Sequence, residues 1–410
     1  MTFPVPLRQM LPLLGITVSA FVFNTSEFMP IALLMDISQS FDQTEAETGI
    51  MITVYAWMVA ILSLPLMLAA GKMKEKTFLL LTLLLFALGQ LASGMAPSFP
   101  LLMGARILVA SAHAIFWSIA APLAARLVDK GKSPFALSMV AAGTAVAMVF
   151  GLPLGRVIGL VLGWRMTFLL IALVTAGAMV YLFFVFPQLS PGEPFTPGDL
   201  PGLFRNRPVA VIFGMTIFYA SAYFTVYSYI EPFLHAVAHL APAAITAVLI
   251  FLGSTGFLGS FAFSKMFGTY PKLIIMTGAC GLLVPFFLLR EGAPFLPVLL
   301  FCLLAMGVVN TLYGIAMQSE IIRHLSTGAA PALPCLLPPG APRLAMSIFS
   351  GIFNMGIGSG TYIGSLLTAR GYLPYIGLAG GLLALVCGLL CIFGYLPFMD
   401  RKSRELRNRS

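Results

Sequence analysis

Long apolar segments separated by short polar stretches run through almost the whole chain. Hydrophobic residues make up 59% of the 410 residues and charged residues only 9%, so too little polar surface is available to cover a water-soluble core. A helix needs about 20 apolar residues to cross a bilayer. The sequence therefore predicts an all-α membrane protein with twelve spans, at 11–34, 47–70, 77–95, 100–125, 135–158, 166–187, 208–234, 243–265, 271–289, 294–321, 343–369 and 373–397.

The positive charges alternate between the loops. Of the 23 lysines and arginines, 18 lie in the two termini and in every second loop, whereas the loop after the first span is acidic. Because basic loops remain in the cytoplasm, we expect both termini to be cytoplasmic, an even number of crossings and a location in the bacterial inner membrane. The alternation also argues that the net charge of +9 serves membrane topology and not nucleic-acid binding.

Small residues recur at every fourth position of the predicted fifth span, at Ala147, Gly151, Gly155, Gly159 and Gly163. Only a helix aligns these positions on one face, and inside lipid such a face lets a second helix approach closely. Gly356, Gly360 and Gly364 repeat the spacing in the eleventh span. We therefore predict tight helix contacts and two halves built on one plan, as is typical of alternating-access transporters.

A polar stretch rich in proline and glycine occupies residues 188–207, midway along the chain. It predicts an N-terminal six-helix bundle at 1–187, a cytoplasmic linker at 188–207 and a C-terminal six-helix bundle at 208–410 that ends in a short basic tail. An offset of about 197 residues aligns the first and seventh spans, with Glu27 and Glu231 about two turns apart. A second proline-rich stretch, 325–342, is interpreted as a tolerated loop insertion.

An ionisable residue within a predicted span needs a partner or a watery cavity. The candidates on which we focus are Glu27, Arg106, His113, Arg156 and Glu231. At ~1.5 Å of rise per residue, Glu27 and Arg106 both lie about 10 Å below the outer surface, so we expect them to pair. A contact that is made and broken would load and release a proton. A permanent ion pair that joins two helices is the alternative.

Other polar and aromatic residues are candidates for substrate binding. His113 lies near the membrane midplane and suits proton transfer or a hydrogen bond to substrate, with an interhelical hydrogen bond as the alternative. Trp117 follows on the same helix face and would either stack on a ring of the substrate or pack. Arg156 and Glu231 are candidate gate residues, and Arg156 alternatively caps a helix end. Further hydroxyl and amide groups that suit a polar, mostly uncharged substrate come from Asn24, Thr25, Tyr223, Tyr227, Tyr229, Asn310 and Tyr313.

Several segments resemble one family of transporters. They include FNTSEFMPIALLMDIS in the first span, RILVASAHAIFWSIAAPLAARL in the fourth, GTAVAMVFGLPLGRVIGLVLGWRMTF in the fifth, YSYIEPFL in the seventh and FSGIFNMGIGSG in the eleventh. The chain is similar to the drug/proton antiporter branch of the major facilitator superfamily, and resembles its bacterial sugar efflux transporters in particular.

The resemblance implies twelve helices in two pseudo-symmetric six-helix bundles, a central cavity lined by spans one, four, seven and ten, and export of sugars in exchange for protons. It also implies an antiporter motif at Gly143, Gly151, Pro153, Gly155 and Gly159, and a part for Arg106 in proton coupling. The segment LAAGKMKEKTF departs from the family pattern because it lacks the usual aspartate. The charge-latch role of that loop is therefore not assigned here.

These observations favour a proton-coupled exporter of sugars or related small polar molecules. A multidrug/proton antiporter, a proton-linked uptake carrier and a transporter-like sensor are the alternatives. We do not expect an enzyme, because no span contains HExxH or GxSxG and the chain has no P-loop. The five cysteines show neither a disulfide pattern nor metal-ligand spacing, so no cofactor is expected. The expected partners are a small-molecule substrate, protons and the lipid bilayer, with the protein acting as a monomer.

Overall fold

The computed structural model describes residues 5–70, 73–129, 132–189, 204–326 and 341–399. Every regular element in these ranges is helical, as the sequence predicts. Most of the predicted linker, most of the proline-rich stretch 325–342 and the basic tail lie outside the described residues.

The chain forms two compact units, Met1–Phe195 and Thr196–Ser410. The first contains α1 (Leu7–Ala32), α2 (Leu34–Ser40), α3 (Glu45–Ala70), α4 (Glu75–Gly94), α5 (Phe99–Arg126), α6 (Ser133–Val146), α7 (Leu152–Leu162) and α8 (Trp164–Val185). The π-helical turn Ala147–Gly151 joins α6 to α7.

The second unit contains α9 (Arg207–Tyr227), α10 (Ile230–Ala236), α11 (Pro242–Met266), α12 (Pro271–Cys280), α13 (Leu283–Gly292), α14 (Leu296–Ser326), α15 (Ala341–Ala369) and α16 (Ile376–Leu389). A 3₁₀ turn, Leu373–Tyr375, precedes α16, and a second π-helical turn, Leu390–Tyr395, follows it.

The helices account for the twelve predicted spans. Ten helical segments among the described residues are long and apolar enough to cross a membrane. The fifth span is divided by its π-helical turn into two shorter apolar helices, Phe135–Val146 and Pro153–Leu162, and so ends later than the predicted residue 158. The eleventh span is the 29-residue helix α15.

The two units repeat one packing pattern. In the first unit α1 packs against α6, α7 and α8, α4 packs against α5 and α8, and α3 packs against α5. In the second unit α9 packs against α15 and α16, α12 and α13 pack against α14 and α16, and α11 packs against α14. Adding six to each span number converts the first list into the second. Each unit is therefore a six-helix bundle, and the two bundles share one internal packing pattern, as the sequence predicts.

The first span of each unit breaks at an equivalent place. Leu33 has φ −117° and ψ 12°, and Tyr229 has φ −115° and ψ 19°. A seven-residue helix follows each break, and the separation of the two residues is almost the offset that aligns the halves. Glu27 precedes its break, whereas Glu231 follows its own. The two acids are therefore not equivalent in the repeat.

The glycine face of the fifth span packs directly on α1. Gly143, Gly151, Gly155 and Gly159 face Thr17, Thr25, Met29 and Leu33, in the same order and with the same spacing. A β-carbon at Gly151 would lie 2.6 Å from Thr25 Oγ1, and one at Gly155 would lie 2.6 Å from Met29 Cγ. The predicted tight contact is confirmed.

Gly163 does not belong to this contact. Its φ of 84° ends α7, and a β-carbon there would meet nothing within 4 Å. The regular spacing placed it on the glycine face, but the helix has already stopped.

The glycines of α15 pack in the same way against α9. A β-carbon at Gly356 would lie 2.9 Å from the carbonyl oxygen of Ile217, and one at Gly360 would lie 2.9 Å from the α-carbon of Ser221. At both positions, the atoms that a β-carbon would contact include backbone atoms of α9. A larger residue there cannot be accommodated by rotating a side chain.

We expect Gly360→Ala to destabilise the protein by roughly 1–3 kcal/mol, because its methyl group meets the backbone of Ser221. Gly155→Ala should cost less, since it meets mainly the flexible side chain of Met29. Gly177→Ala in α8 is the matched control, because nothing lies within 4 Å and alanine favours a helix. Melting temperatures in detergent test this order, and equal values for the variants at 360 and 177 would contradict it.

Candidate functional site

Six buried polar residues meet in the first unit. They come from four spans, and we call them the polar cluster: Ser26 and Glu27 of α1, Tyr55 of α3, Gln90 of α4, and Arg106 and His113 of α5. Glu27 is the most exposed of them, at 8%. Ionisable groups this deeply buried must be paired or hydrogen-bonded, so the partner of each one determines what the cluster can do.

Glu27 contacts His113. The distance from His113 Nε2 to Glu27 Oε2 is 3.6 Å, longer than a good hydrogen bond but within ion-pair range. His113 Nδ1 has no hydrogen-bond partner among the described residues. A proton held between these two groups can lie on the carboxyl or on the imidazole. The net charge of the pair is the same in both cases, and only the distribution of charge differs.

Arg106 is bound to Ser26 and not to Glu27. Its Nη2 donates to the Ser26 carbonyl oxygen at 3.1 Å, and its Nη1 donates to Ser26 Oγ at 3.3 Å. Its guanidinium carbon lies 4.4 Å from the centre of the Tyr55 ring, a cation–π distance. The predicted ion pair between Glu27 and Arg106 is therefore not formed, although the two groups lie close enough to interact electrostatically.

Ser26 is the residue on which the polar cluster converges. Besides the two contacts from Arg106, its Oγ accepts a hydrogen bond from Gln90 Nε2. Aromatic rings surround the cluster, since Phe23 stacks between Phe86 and Phe116, at 3.8 and 4.2 Å between centroids, and lies 5.9 Å from the His113 ring. Such apolar surroundings strengthen each electrostatic contact.

Ser26, Tyr55 and Gln90 are not among the site residues predicted from the sequence. Gln90 had a usable signal, because an amide in the middle of the apolar run LLLFALGQLAS needs a partner. Tyr55 had a weaker signal, since tyrosine is common near membrane surfaces. Ser26 had none, because a serine in a helix normally bonds to its own backbone.

Of the other substrate-binding candidates of the first unit, two contact the fifth span and one lies beside the polar cluster. Asn24 Nδ2 donates to the Ala20 carbonyl oxygen at 3.1 Å and to Thr144 Oγ1 at 3.2 Å, and so joins α1 to α6. Thr25 packs against Gly151. Trp117 is half-buried, with its ring centroid 6.2 Å from that of His113.

The candidates of the second unit form aromatic pairs. The rings of Tyr223 and Tyr227 stack at 5.1 Å. Tyr313 stacks at 3.6 Å on Tyr219, which sequence reasoning missed, and its hydroxyl lies 3.1 Å from Thr216 Oγ1. Two further candidates also lie in this unit, Tyr229 packed against Gly364 and the half-buried Asn310.

The candidate gate residues are both buried. Arg156 Nη1 donates to the carbonyl oxygen of Ala32 at 2.8 Å and lies 3.4 Å from Asp36 Oδ2. It therefore donates to the last carbonyl of α1 and also pairs with Asp36. Glu231 lies in α10, just after the break at Tyr229. Among the described residues, no group of three or more potential ligands is arranged to hold a metal ion.

Two repeated six-span units with buried ionisable residues are typical of secondary membrane transporters. The profile of the Major Facilitator Superfamily matches residues 13–333, and the chain belongs to that family. It is therefore an integral membrane protein that moves a small molecule by alternating access.

The chain is also similar to solved structures of a bacterial homologue of the human lysosomal transporter Spinster. The inward-facing, unoccupied structure has a TM-score of 0.74 and 14% identity, over 98% of this chain and 99% of that chain. The inward-facing, occupied structure has a TM-score of 0.70 and 15% identity, over 95% and 97%. At these identities the similarity shows the fold alone.

We expect the ring of Tyr55, and not its hydroxyl, to support Arg106. The hydroxyl has no hydrogen-bond partner among the described residues, so Tyr55→Phe should leave the melting temperature unchanged. Tyr55→Leu removes the cation–π contact and should cost about 1–2 kcal/mol. Thermal unfolding in detergent compares the two, and an equal loss in both would show that the hydroxyl matters.

Proposed function

We propose that this chain is a proton-coupled exporter of sugars or related small polar molecules, acting as a monomeric antiporter in the bacterial inner membrane with both termini in the cytoplasm. The observation that carries the proposal is the environment of Glu27. This buried carboxyl contacts a histidine, while the nearby arginine is bound to Ser26. A carboxyl that is not locked in an ion pair can exchange a proton during transport.

The charge of the polar cluster gives the coupling step. With Glu27 ionised, Arg106 charged and His113 neutral, the cluster has no net charge. A proton on Glu27 leaves the charge of Arg106 uncompensated, and a net charge is costly in apolar surroundings. Protonation thus favours a conformation that hydrates the cluster, and release of the proton favours the other one. His113, in contact with Glu27, is suited to pass that proton on.

The glycine contact fits the antiporter role that the resemblance implies. Gly151 and Gly155 of the motif pack on Thr25 and Met29 of α1, on either side of Glu27 in sequence. The motif holds the fifth span against the helix that bears the proton-binding carboxyl. A change of charge at Glu27 would therefore be transmitted to α6 and α7 as well as to α1.

The candidate substrate-binding side chains favour a polar, ring-shaped substrate. Trp117 lies beside His113, so a sugar ring stacked on its indole would be close to the proton-binding residues. Tyr223, Tyr227, Asn310 and Tyr313 offer hydroxyl and amide groups on α9 and α14. These are spans seven and ten, the equivalents of spans one and four in the repeat.

Multidrug/proton antiport is the second candidate. The stacked pairs Tyr219 with Tyr313 and Tyr223 with Tyr227 favour it, because aromatic surfaces bind planar aromatic molecules. A panel that contains both radiolabelled sugars and cationic aromatic dyes distinguishes the two candidates. The sign of the pH gradient that drives accumulation distinguishes export from proton-linked uptake.

Glu27→Gln should abolish accumulation driven by an imposed pH difference in proteoliposomes, with a loss of at least about tenfold for a carboxyl essential to proton transfer. Exchange of labelled for unlabelled substrate should persist, since glutamine resembles the protonated acid. Glu291→Gln is the matched control, because that side chain is 78% exposed. Undiminished gradient-driven transport by the Glu27 variant would rule out the assignment.

A further inference from the structure

We propose that Pro30 is a positioning residue that controls proton binding at Glu27 by keeping Arg106 bound to the Ser26 carbonyl. The inference rests on the proposed proton-binding role of Glu27. Pro30 itself touches neither proton nor substrate in this scheme. It acts because it has no N–H and so leaves the Ser26 carbonyl oxygen without its helical donor.

A proline inside a helix leaves one carbonyl without its usual donor. In α1 the N–H of residue 30 would bond to the carbonyl oxygen of residue 26, but Pro30 has no N–H. Within a membrane such a carbonyl must find another donor. Arg106 Nη2 supplies it, at 3.1 Å from the Ser26 oxygen. The proline therefore creates the acceptor that the arginine occupies.

The remaining contacts of Arg106 keep it in that place. Its Nη1 donates to Ser26 Oγ, and the Tyr55 ring lies under its guanidinium plane. Gln90 donates to the same Ser26 Oγ, which fixes the serine side chain. With the guanidinium bound to neutral groups, Glu27 is left with His113 as its contact.

A second arginine binds α1 in the same manner. Ala32 is the last residue of the helix, so its carbonyl also lacks a helical donor. Arg156 Nη1 donates to it at 2.8 Å. At two separate places, therefore, a carbonyl oxygen of α1 that lacks a helical donor accepts a hydrogen bond from an arginine of another span. The contact of Arg106 is one of these two.

Few titratable or charged groups on the elements packed against α1 can influence Glu27. Within α6 and the π-helical turn the sequence has none. In α2 and α7, Asp36 and Arg156 pair with each other, and in α8 Arg165 Nη2 and the Tyr181 hydroxyl donate to the carbonyls of Ala96 and Leu11. From α5, Arg126 pairs with Glu75 of α4. Among the described residues, the groups that face Glu27 are then Arg106, His113 and Tyr55.

Replacing Pro30 restores the missing donor. In Pro30→Ala the new N–H can bond to the Ser26 carbonyl, and Nη2 of Arg106 loses its acceptor. The guanidinium is then free to turn to Glu27 and form the ion pair that the native helix prevents. A carboxylate paired with an arginine keeps its charge to a more acidic pH.

Tryptophan fluorescence of the full chain in detergent, titrated with pH, tests this without a known substrate. Trp117, one of three tryptophans, lies 6.2 Å from the His113 ring and should report on the cluster. The titration that Glu27→Gln abolishes is that of Glu27. We expect Pro30→Ala to move its midpoint to lower pH by about one unit or more, with a melting temperature at or above that of the wild type.

Pro12→Ala is the matched control, because Pro12 also lies inside α1 but in its first turns, away from the cluster. It should titrate as the wild type does. An unchanged midpoint in Pro30→Ala, an equal shift in Pro12→Ala, or loss of the folded state in Pro30→Ala would each overturn the inference while leaving the proposed function intact. A titration that survives in Glu27→Gln would instead overturn the assignment of Glu27 itself, and the inference with it.

Discussion

Every backbone carbonyl inside a bilayer needs a hydrogen-bond donor, and the polar cluster of the first unit follows from this constraint. A helix meets it with its own N–H groups until a proline or a helix end removes one. Helix α1 has both kinds of interruption close together, at Pro30 and at the break after Ala32. Each time, a buried arginine from another span supplies the donor. Arg106 and Arg156 thus both bind carbonyl oxygens of α1, and Arg156 also pairs with Asp36.

Helix α1 also packs closely against the glycines of the fifth span. Four glycines of the fifth span face Thr17, Thr25, Met29 and Leu33 with matching spacing, so the fifth span packs closely along α1. Without a hydrophobic force between helices in lipid, such packing is what fixes one span against another. A helix held this rigidly can position a carboxyl against a histidine on α5, and the distance between Glu27 and His113 depends on that rigidity as much as on their charges.

Much of the fold could be predicted from the sequence. The spans follow from hydropathy, and the tight contacts follow from the spacing of Gly151, Gly155, Gly360 and their neighbours. Gly163 was misplaced because spacing does not say where a helix stops.

The site was harder to predict than the fold. The expected pair of Glu27 and Arg106 is not formed in this structure, where the guanidinium is bound to Ser26. Depth in the membrane does not specify which acceptor a buried arginine takes. Pro30 lies three residues after Glu27, and it leaves the Ser26 carbonyl without its helical donor. Ser26 and Tyr55 could be predicted as site residues only from the packing of α1, α3 and α5, which the sequence does not specify.

The two units share a scaffold but differ in their polar chemistry. The break at Leu33 has its equivalent at Tyr229, and the glycine face of the fifth span has its equivalent in α15. Between residues 296 and 319, however, α14 has no charged residue, whereas the equivalent helix α5 has Arg106 and His113. The buried carboxylate of α14 is Glu320, near the helix end, bound to Arg323 at 2.5 Å and to the hydroxyl of Tyr395. The backbone packing is thus repeated in both units. The ionisable residues in the middle of α5 have no equivalent between residues 296 and 319 of α14. For the proposed proton coupling a single such cluster is enough, because the energy of one uncompensated charge in apolar surroundings exceeds the few kcal/mol that separate two conformations.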